Sequence, residues 1–585
     1  MFVAGAVVWV VLVVAGFALS GRPRAGSDLA DRVAVPMYWV AVMSAVLVGV
    51  GPLVPSAVPE AAGPTEFSIA AALAHIEVMA QRPHPIGSAA NDDVRNYIAG
   101  QLRSLGLEPE FQRVPATDYY GGTNATIPVV NVMARIPGTA PTGSVVLVAH
   151  LDTVPAAPGA NDNSSGVAVA MDAARALLAG SAPRNDVILL FTDGEEPAPR
   201  FGSTAFVTGH RWFDGVRFVV NLEAIGSSGP SMLIETNGPQ GWVLDRYVES
   251  AVHPVAFSFL TEMMALIGGS NTDFAPFRDA GVPGVEFAYS RGSPIYHTPA
   301  DTPDSVSRRT LQSHGANTVE LVRHLAGEDL ASTGDDGMVF FTVGRYHLVR
   351  YPTWLALPVV ALAGLVMFVA AHRRRSLPLM ARGAVDALAR AVAAAIVAVV
   401  VWTFLAGWRS TMGIVESYLD LFGLAGLTAA MMFVPFSWRS GAGRRFAPEG
   451  VLAIWWVLGL VTAITVPGVS YLFAWPVLIG AFALLGRFGD RLGWRQLGPA
   501  ALTVGTAAVV LVPAIDTLFQ FAQPRPGNLD SQVLPTVAIP VFLIALGTQL
   551  ALSFRVASGV ASTDEPRSGA LGTFCPDRSP LQDSS

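Results

Sequence analysis

Residues 144–166 read SVVLVAHLDTVPAAPGANDNSSG. Ser144–Ala149 is a short apolar run of the kind that fills a strand buried on both faces. It ends in His150-Leu151-Asp152, and ten residues beyond Asp152 the loop GANDNSSG holds Asp162 and opens a helical stretch, Ser164–Leu178. The same pattern recurs outward. Val187–Thr192 (VILLFT) and Phe218–Leu222 (FVVNL) read as strands, and Val285–Ala288 as a further short one. Upstream, Val94, Tyr97, Ile98, Leu102 and Leu105 fall at helical spacing behind Asn91 and Asp92 as caps. Strands alternating with helices predict that residues 60–330 form an α/β domain, a mixed, largely parallel sheet covered by helices on both faces. Such sheets bind ligands at the carboxyl ends of their strands.

The polar residues concentrate at those ends. The second strand runs into Asp193-Gly194-Glu195-Glu196, the third ends Asn221-Leu222-Glu223, and a later loop reads Tyr296-His297-Thr298-Pro299-Ala300-Asp301-Thr302. Alone, a His-x-Asp or a paired Glu is commonplace, and a lone His297 is more often a surface or capping histidine. Five such groups in this order and placement are not. Imidazole and carboxylate without thiolate suit a catalytic zinc site that keeps positions open for water and substrate. His75, His84, His210 and His253 lack such company and receive no role.

From about residue 65 to 330 these motifs resemble the zinc aminopeptidases of metallopeptidase family 28: His-x-Asp, the Asp before Asn, Glu-Glu, Asn-Leu-Glu and His-Thr-x-x-Asp-Thr, with RPHPIGSAAND similar to the family's opening segment. Family 20 is less similar, because its bridging Asp lies much farther past His-x-Asp and a dimerisation domain is inserted. Residue by residue, the resemblance implies that His150, Asp162 and Glu223 hold one zinc ion and Asp162, Glu196 and His297 a second, with Asp162 bridging. It makes Glu195 the general base and gives Asp152 the task of orienting His150. Two zinc ions about 3.5–4 Å apart lower the pKa of a shared water and polarise a carbonyl. A neighbouring carboxylate that is not a ligand takes the proton and returns it to the leaving amine.

Two departures stand out. After Glu-Glu the family continues through Gly-Leu into Gly-Ser, whereas Pro197-Ala198-Pro199-Arg200-Phe201 precedes Gly202-Ser203 here, and two prolines stiffen that lip. Asn271-Thr272-Asp273-Phe274 resembles the family's Ser-Asp-His stretch without its His, so Asp273 either helps order the site or caps a loop.

The remainder of the 585 residues belongs to a membrane. Hydrophobic residues make up 52% and charged ones 14%, where soluble domains carry about a quarter charged. The net charge of −7 argues against nucleic acid as the main partner. The single Cys575 excludes an intrachain disulfide framework and a cysteine zinc site. Apolar stretches of spanning length fall at Phe2–Leu19, Pro36–Val54, Trp354–Ala371, Ala391–Trp408, Tyr418–Trp438, Val451–Val466, Tyr471–Leu485, Leu497–Phe521 and Leu534–Phe554. The sixth and seventh meet at Pro467-Gly468 and read as two spans or one broken element. The expected organisation is two N-terminal membrane helices in 1–59, the α/β domain in 60–330, about seven more helices in 350–556, and a disordered cytoplasmic tail in 557–585. The membrane part is thus all-α and polytopic, with about nine helices.

Arginines set the orientation. Alternate short loops carry Arg22, Arg24, Arg32, Arg373, Arg374, Arg375, Arg382, Arg439, Arg444, Arg445, Arg487, Arg491 and Arg495, and the opposite set only Arg409 and Arg525. The α/β domain is therefore expected outside the cytoplasm, in a bacterial plasma membrane. Asp516 lies inside a span near its outer end, where it is either a coupling group or an interfacial carboxylate. With membrane spans on both sides, the chain is similar to vacuolar membrane proteases and endoplasmic reticulum metallopeptidases. The expected function is a dizinc exopeptidase acting on peptides, most simply an aminopeptidase, with the bilayer as its other partner and its oligomeric state open. The alternatives are carboxypeptidase or glutaminyl-cyclase-like chemistry on the same fold, or a transporter or receptor whose peptidase-like domain only binds.

Overall fold

Seven strands form one sheet in the computed structural model, which describes residues 29–59, 61–117, 126–196, 200–331, 337–373, 375–412, 448–485 and 494–521. They are β1 (Glu110–Thr117), β2 (Thr126–Ile136), β3 (Ser144–His150), β4 (Asp186–Thr192), β5 (Val216–Ala224), β6 (Met232–Asn237) and β7 (Gly284–Tyr289), in the order β1-β2-β4-β3-β5-β7-β6. The central four, β4, β3, β5 and β7, are parallel. β1, β2 and β6 extend the sheet antiparallel at its two sides. This is the expected mixed, largely parallel sheet, with three flanking antiparallel strands that the apolar runs did not reveal.

Every residue of β3 is buried, as the run SVVLVAH requires. Val145, Leu147 and Ala149 face a layer of helices: α2 (Ile69–Met79), α3 (Ala89–Ser104), α4 (Ser164–Leu178), α6 (Gln240–Ser250) and α9 (Arg308–Gly327). Val146 and Val148 face the opposite side, covered by Phe206 of α5 (Phe201–Gly209) and by Phe274 and Phe277 of α8 (Phe274–Asp279). α4 occupies the expected span, its first turn capped by Asn163 Oδ1 on the Gly166 N–H at 3.0 Å. The cap of α3 is Ser88, whose hydroxyl accepts from the Asn91 N–H at 3.1 Å, and not Asn91 or Asp92. The Asn91 amide is engaged elsewhere, donating to the His84 carbonyl and the Asp193 carboxylate.

Of the nine expected spans, six fall on described helices: α1 (Leu29–Val50), α10 (Ala356–Arg373), α11 (Leu377–Met412), α12 (Pro448–Thr465), α13 (Tyr471–Leu485) and α14 (Trp494–Phe521). Four stretches among the described residues are long and apolar enough to cross a membrane, Pro36–Leu53, Thr353–Arg373, Met380–Val401 and Ala500–Phe521, while α12 and α13 are shorter. Phe2–Leu19, Tyr418–Trp438, Leu534–Phe554 and the tail lie outside the described residues. α11 begins well before the expected Ala391, taking in Arg382, because Asp386 and Arg390 pair at 2.9 Å one turn apart and so enter the helix together.

Pro467-Gly468 separates two antiparallel helices and does not kink one. Trp455 and Phe473 pack edge to face at 5.7 Å near the tip, and Leu452 lies beside Ala481 and Leu484 farther along. The tip itself touches the α/β domain. Ser258, at the start of α7 (Ser258–Leu266), donates to the Gly468 carbonyl at 2.6 Å, and the Gly468 N–H donates to Glu262 Oε1 at 3.1 Å. A β-carbon at Gly468 would stand 2.5 Å from Glu262 Cγ, so a larger residue would have to displace the Glu262 side chain.

One hydrophobic cluster runs through both parts, joining Met232, Ile234, Phe257, Phe259 and Ala288 to Val360, Tyr471, Leu511 and Leu518. A hairpin of β8 (Met338–Val343) and β9 (His347–Pro352) lies between them, with the Phe341 ring stacked on Tyr471 at 4.3 Å. Each large side chain of the α/β domain buried there contributes roughly 1.5–3 kcal/mol.

Candidate metal centre

The chain leaves β3 toward β4 on one side and later returns to β5 on the other, and the carboxyl ends of strands at such a reversal border a crevice. His150 is the last residue of β3 and Glu223 the penultimate residue of β5. Glu195 and Glu196 lie just past β4, and His297 follows β7 in a left-handed conformation, φ 61°. All five expected ligand residues and Glu195 meet in this crevice. His150 Nε2 is 3.2 Å from Asp162 Oδ1 and 3.7 Å from Glu223 Oε2. His297 Nε2 is 3.2 Å from Asp162 Oδ2 and 2.7 Å from Glu196 Oε1. One carboxylate therefore faces both imidazoles, an oxygen to each. Ligand atoms of His150, Asp162 and Glu196 lie within 4.8 Å of one another, all from buried residues.

The surrounding bonds aim these groups. His150 Nδ1 donates to the Asp152 backbone carbonyl at 3.0 Å, which turns Nε2 toward the carboxylates as the nitrogen that would face a cation. The Asp152 carboxylate stands farther from that ring, at 3.8 Å, and instead accepts the N–H groups of Glu195 and Glu196 at 3.2 and 3.1 Å. Asp152 thus orients His150 through its main chain and fixes the Glu195-Glu196 turn through its side chain. The Asp301 carboxylate accepts from the Asn161 N–H and side-chain amide, both at 2.8 Å, and from the Asp162 N–H at 3.1 Å. It holds the Asp162 loop, a task the motif spacing did not disclose. Tyr289, closing β7, donates to the Asn161 side chain at 3.1 Å.

Asp273 is fully buried and accepts from the Thr192 hydroxyl at the end of β4. It is a group of the site's interior and not an exposed loop cap. Behind Glu223 lies a network absent from the sequence reading: Asn221 donates to Glu223 at 3.1 Å and to Glu286 at 3.2 Å. Glu286 points inward from a strand that reads as plain apolar sheet, so nothing in its neighbours flags it. Burial pushes its carboxyl up to about 7. Pro197–Pro199 lie outside the described residues. His75, His210 and His253 are engaged with Tyr97, Glu110 and the Tyr346 ring, away from the crevice.

Burial pushes the Glu195 and Glu223 carboxyls well above the usual carboxylate range, against the pull of His150 and reinforced by the other acids. Burial alone would lower His150, yet its hydrogen bond to Asp162 and the charges of Glu223 and Asp162 raise it well above an ordinary histidine. His297 is raised to about 9 in the same way: burial opposes, and Asp162 and Glu196 prevail. The crevice is a concentration of buried negative charge with two imidazoles facing it. Such charge is costly to bury uncompensated, and an N/O donor set around it fits a divalent cation.

A largely parallel sheet that gathers two imidazoles and several carboxylates at its switch point is the arrangement of a metal-dependent hydrolase. Residues 131–322 match the model of Peptidase family M28, and the chain is similar to membrane-associated metallopeptidases beyond that segment. It is 28% identical over 348 residues to endoplasmic reticulum metallopeptidase 1 of Mus musculus, covering 56% of this chain and 38% of that protein. To the vacuolar membrane protease of Candida dubliniensis it is 26% identical over 280 residues, covering 46% and 29%. The chain spans less than two-fifths of the length of such relatives. Among solved structures, BSAP, a zinc aminopeptidase from Bacillus subtilis, aligns with a TM-score of 0.37 and 19% identity, over 46% of this chain and 98% of that one.

Proposed function

We propose that this chain is a membrane-anchored exopeptidase that holds two zinc ions and removes N-terminal residues from peptides outside the cytoplasm. The observation that carries the reading is the double role of Asp162, with Oδ1 toward His150 and Oδ2 toward His297. That arrangement suits a carboxylate shared between two cations, one held by His150, Asp162 and Glu223 and the other by Asp162, Glu196 and His297. Bound there, zinc supplies a Lewis acid that activates water and polarises the scissile carbonyl.

The residues supply the rest. Glu195 is buried beside the ligands, and its raised affinity for a proton suits it to take one from the attacking water and return it to the departing amine. Asp152 holds Glu195 in place through the Glu195 N–H. The extracytoplasmic placement rests on the arginine distribution. It agrees with the ends of α1, α14 and the α12–α13 tip all meeting the α/β domain on one side.

Hydrolysis of a panel of aminoacyl chromogenic substrates by the detergent-solubilised full chain tests this reading, with and without a chelator and beside Glu195→Gln. The expected result is chelator-sensitive, zinc-restored release, reduced about 10²–10⁴-fold in Glu195→Gln with zinc content unchanged. Zinc-loaded wild type that cleaves none of the panel overturns the aminopeptidase assignment and directs attention to carboxypeptidase and cyclase substrates. Wild type that takes up no metal overturns the ligand assignment.

A further inference from the structure

The membrane helices reach the loop that leads to His297. After β7 the chain runs Tyr289-Ser290-Arg291-Gly292 before arriving at His297. Tyr289 holds the Asp162 loop through Asn161. The next two residues turn the other way. The Ser290 hydroxyl donates to Gln520 Oε1 at 2.9 Å, and the Arg291 guanidinium donates to Asp516 Oδ2 at 3.0 Å and to the Leu53 carbonyl at 3.2 Å. Asp516 and Gln520 sit one turn apart near the end of α14, and the Gln520 amide also donates to Asp516. Leu53 closes the turn that follows α1.

Arg291 is also the seam between two ligand loops. Its carbonyl accepts from the N–H groups of Ser227 and Ser228 at 3.0 and 2.9 Å, and its N–H donates to the Ser228 carbonyl at 3.0 Å. Ser227 and Ser228 follow directly from β5, which carries Glu223. Gly292, at φ 79°, supplies the left-handed conformation that the turn needs. The ion pair is nearly enclosed, each side chain 13% exposed. An Arg–carboxylate pair withdrawn from water is directional as well as attractive, and removing one partner leaves the other poorly solvated.

We propose that Asp516 and Gln520 are positioning residues of the peptidase site, holding through Arg291 and Ser290 the loop that delivers His297. This rests on the reading of His297 as a zinc ligand. It also gives the membrane domain a task beyond anchoring, since a single helix already anchors effectively irreversibly. His297 holds a left-handed backbone, a conformation that persists where the surrounding structure imposes it.

The test is a zinc titration of metal-stripped, detergent-solubilised full chain against a chromophoric chelator, with kcat and KM measured at saturating zinc. Asp516→Asn is expected to weaken one zinc site by about 10–100-fold, as loss of a ligand-orienting partner does, and to lower kcat more than KM. Asp516→Glu, which keeps the charge, is expected to restore most of the affinity, and the Tm of the zinc-free protein should stay near that of wild type. His297→Ala is the reference for loss of that site. If His297→Ala loses it while Asp516→Asn titrates as wild type, the positioning role is overturned and the metal reading stands. If wild type binds no zinc, or His297→Ala binds it unchanged, the metal reading falls and this inference with it. Equal loss in Asp516→Glu and Asp516→Asn also overturns it. Should Asp516→Asn not fold, Gln520→Ala decides, because it removes the Ser290 bond without stranding a charge: weakened zinc binding supports the role, and a wild-type titration overturns it.

Discussion

Asp301 accepts three hydrogen bonds from Asn161 and Asp162 and so holds the loop that presents Asp162. Asp301→Ala is expected to lower zinc affinity about 10–100-fold while leaving every ligand residue in the chain, measured by chelator competition. His314 makes a different prediction. Fully enclosed beside Ser231, its ring is lowered to about 4 by burial. The unfolded chain therefore takes up a proton near pH 6.5 that the folded state refuses until about pH 4. Its contribution is complete above pH 6.5 and is lost as pH falls through that window, by roughly 3 kcal/mol at most. Denaturant unfolding from pH 7.5 to 5 should show wild type losing stability relative to His314→Gln. The candidate ligand residues were legible in sequence because each has a fixed chemical type and sits at a strand end or in the loop beyond it. Asp152, Asp301 and Glu286 were less so, since their tasks depend on which backbone amides and side chains fold back against them.

At the scale of elements, the four parallel strands announced themselves because both faces are covered and their residues are almost all apolar. β1, with Gln112, Arg113 and Pro115 in eight residues, is an edge strand whose polar positions conceal it. The α12–α13 hairpin was ambiguous for a related reason: Pro467-Gly468 breaks a helix in any reading, and only packing decides whether the halves continue or reverse. Its tip is now a specific joint. Gly468→Val should force Glu262 and the tip apart, destabilising the protein by about 1–3 kcal/mol as overpacking does, seen as a lowered unfolding midpoint. Gly459→Ala, on the same hairpin with its nearest neighbours at ordinary contact distance, should be milder.

For the molecule as a whole, composition and arginine placement indicated a membrane protein with a polar insert, but not that the two parts share a core. That core is built from residues distant in sequence, such as Phe257 with Phe341 and Tyr471, so no local pattern could display it. A polypeptide limited to residues 61–331 would expose Met232, Ile234, Phe257 and Phe259 together. It is expected to aggregate on size-exclusion chromatography where the full chain in detergent runs as a defined species. Monodisperse, zinc-binding protein from that segment would show the shared core to be dispensable.

The joint at Gly468 bears on how such an enzyme meets its substrates. A catalytic head on a slack stalk tumbles by itself and sweeps a dome above the lipid, presenting its mouth in every direction. Here the head is joined to the bundle by the hairpin tip, the Phe341–Tyr471 stack and the Arg291–Asp516 pair, contacts that oppose such independent tumbling. Under the proposed exopeptidase reading, the mouth would keep a single bearing relative to the helix bundle, and a chain end would have to arrive at that heading to be trimmed.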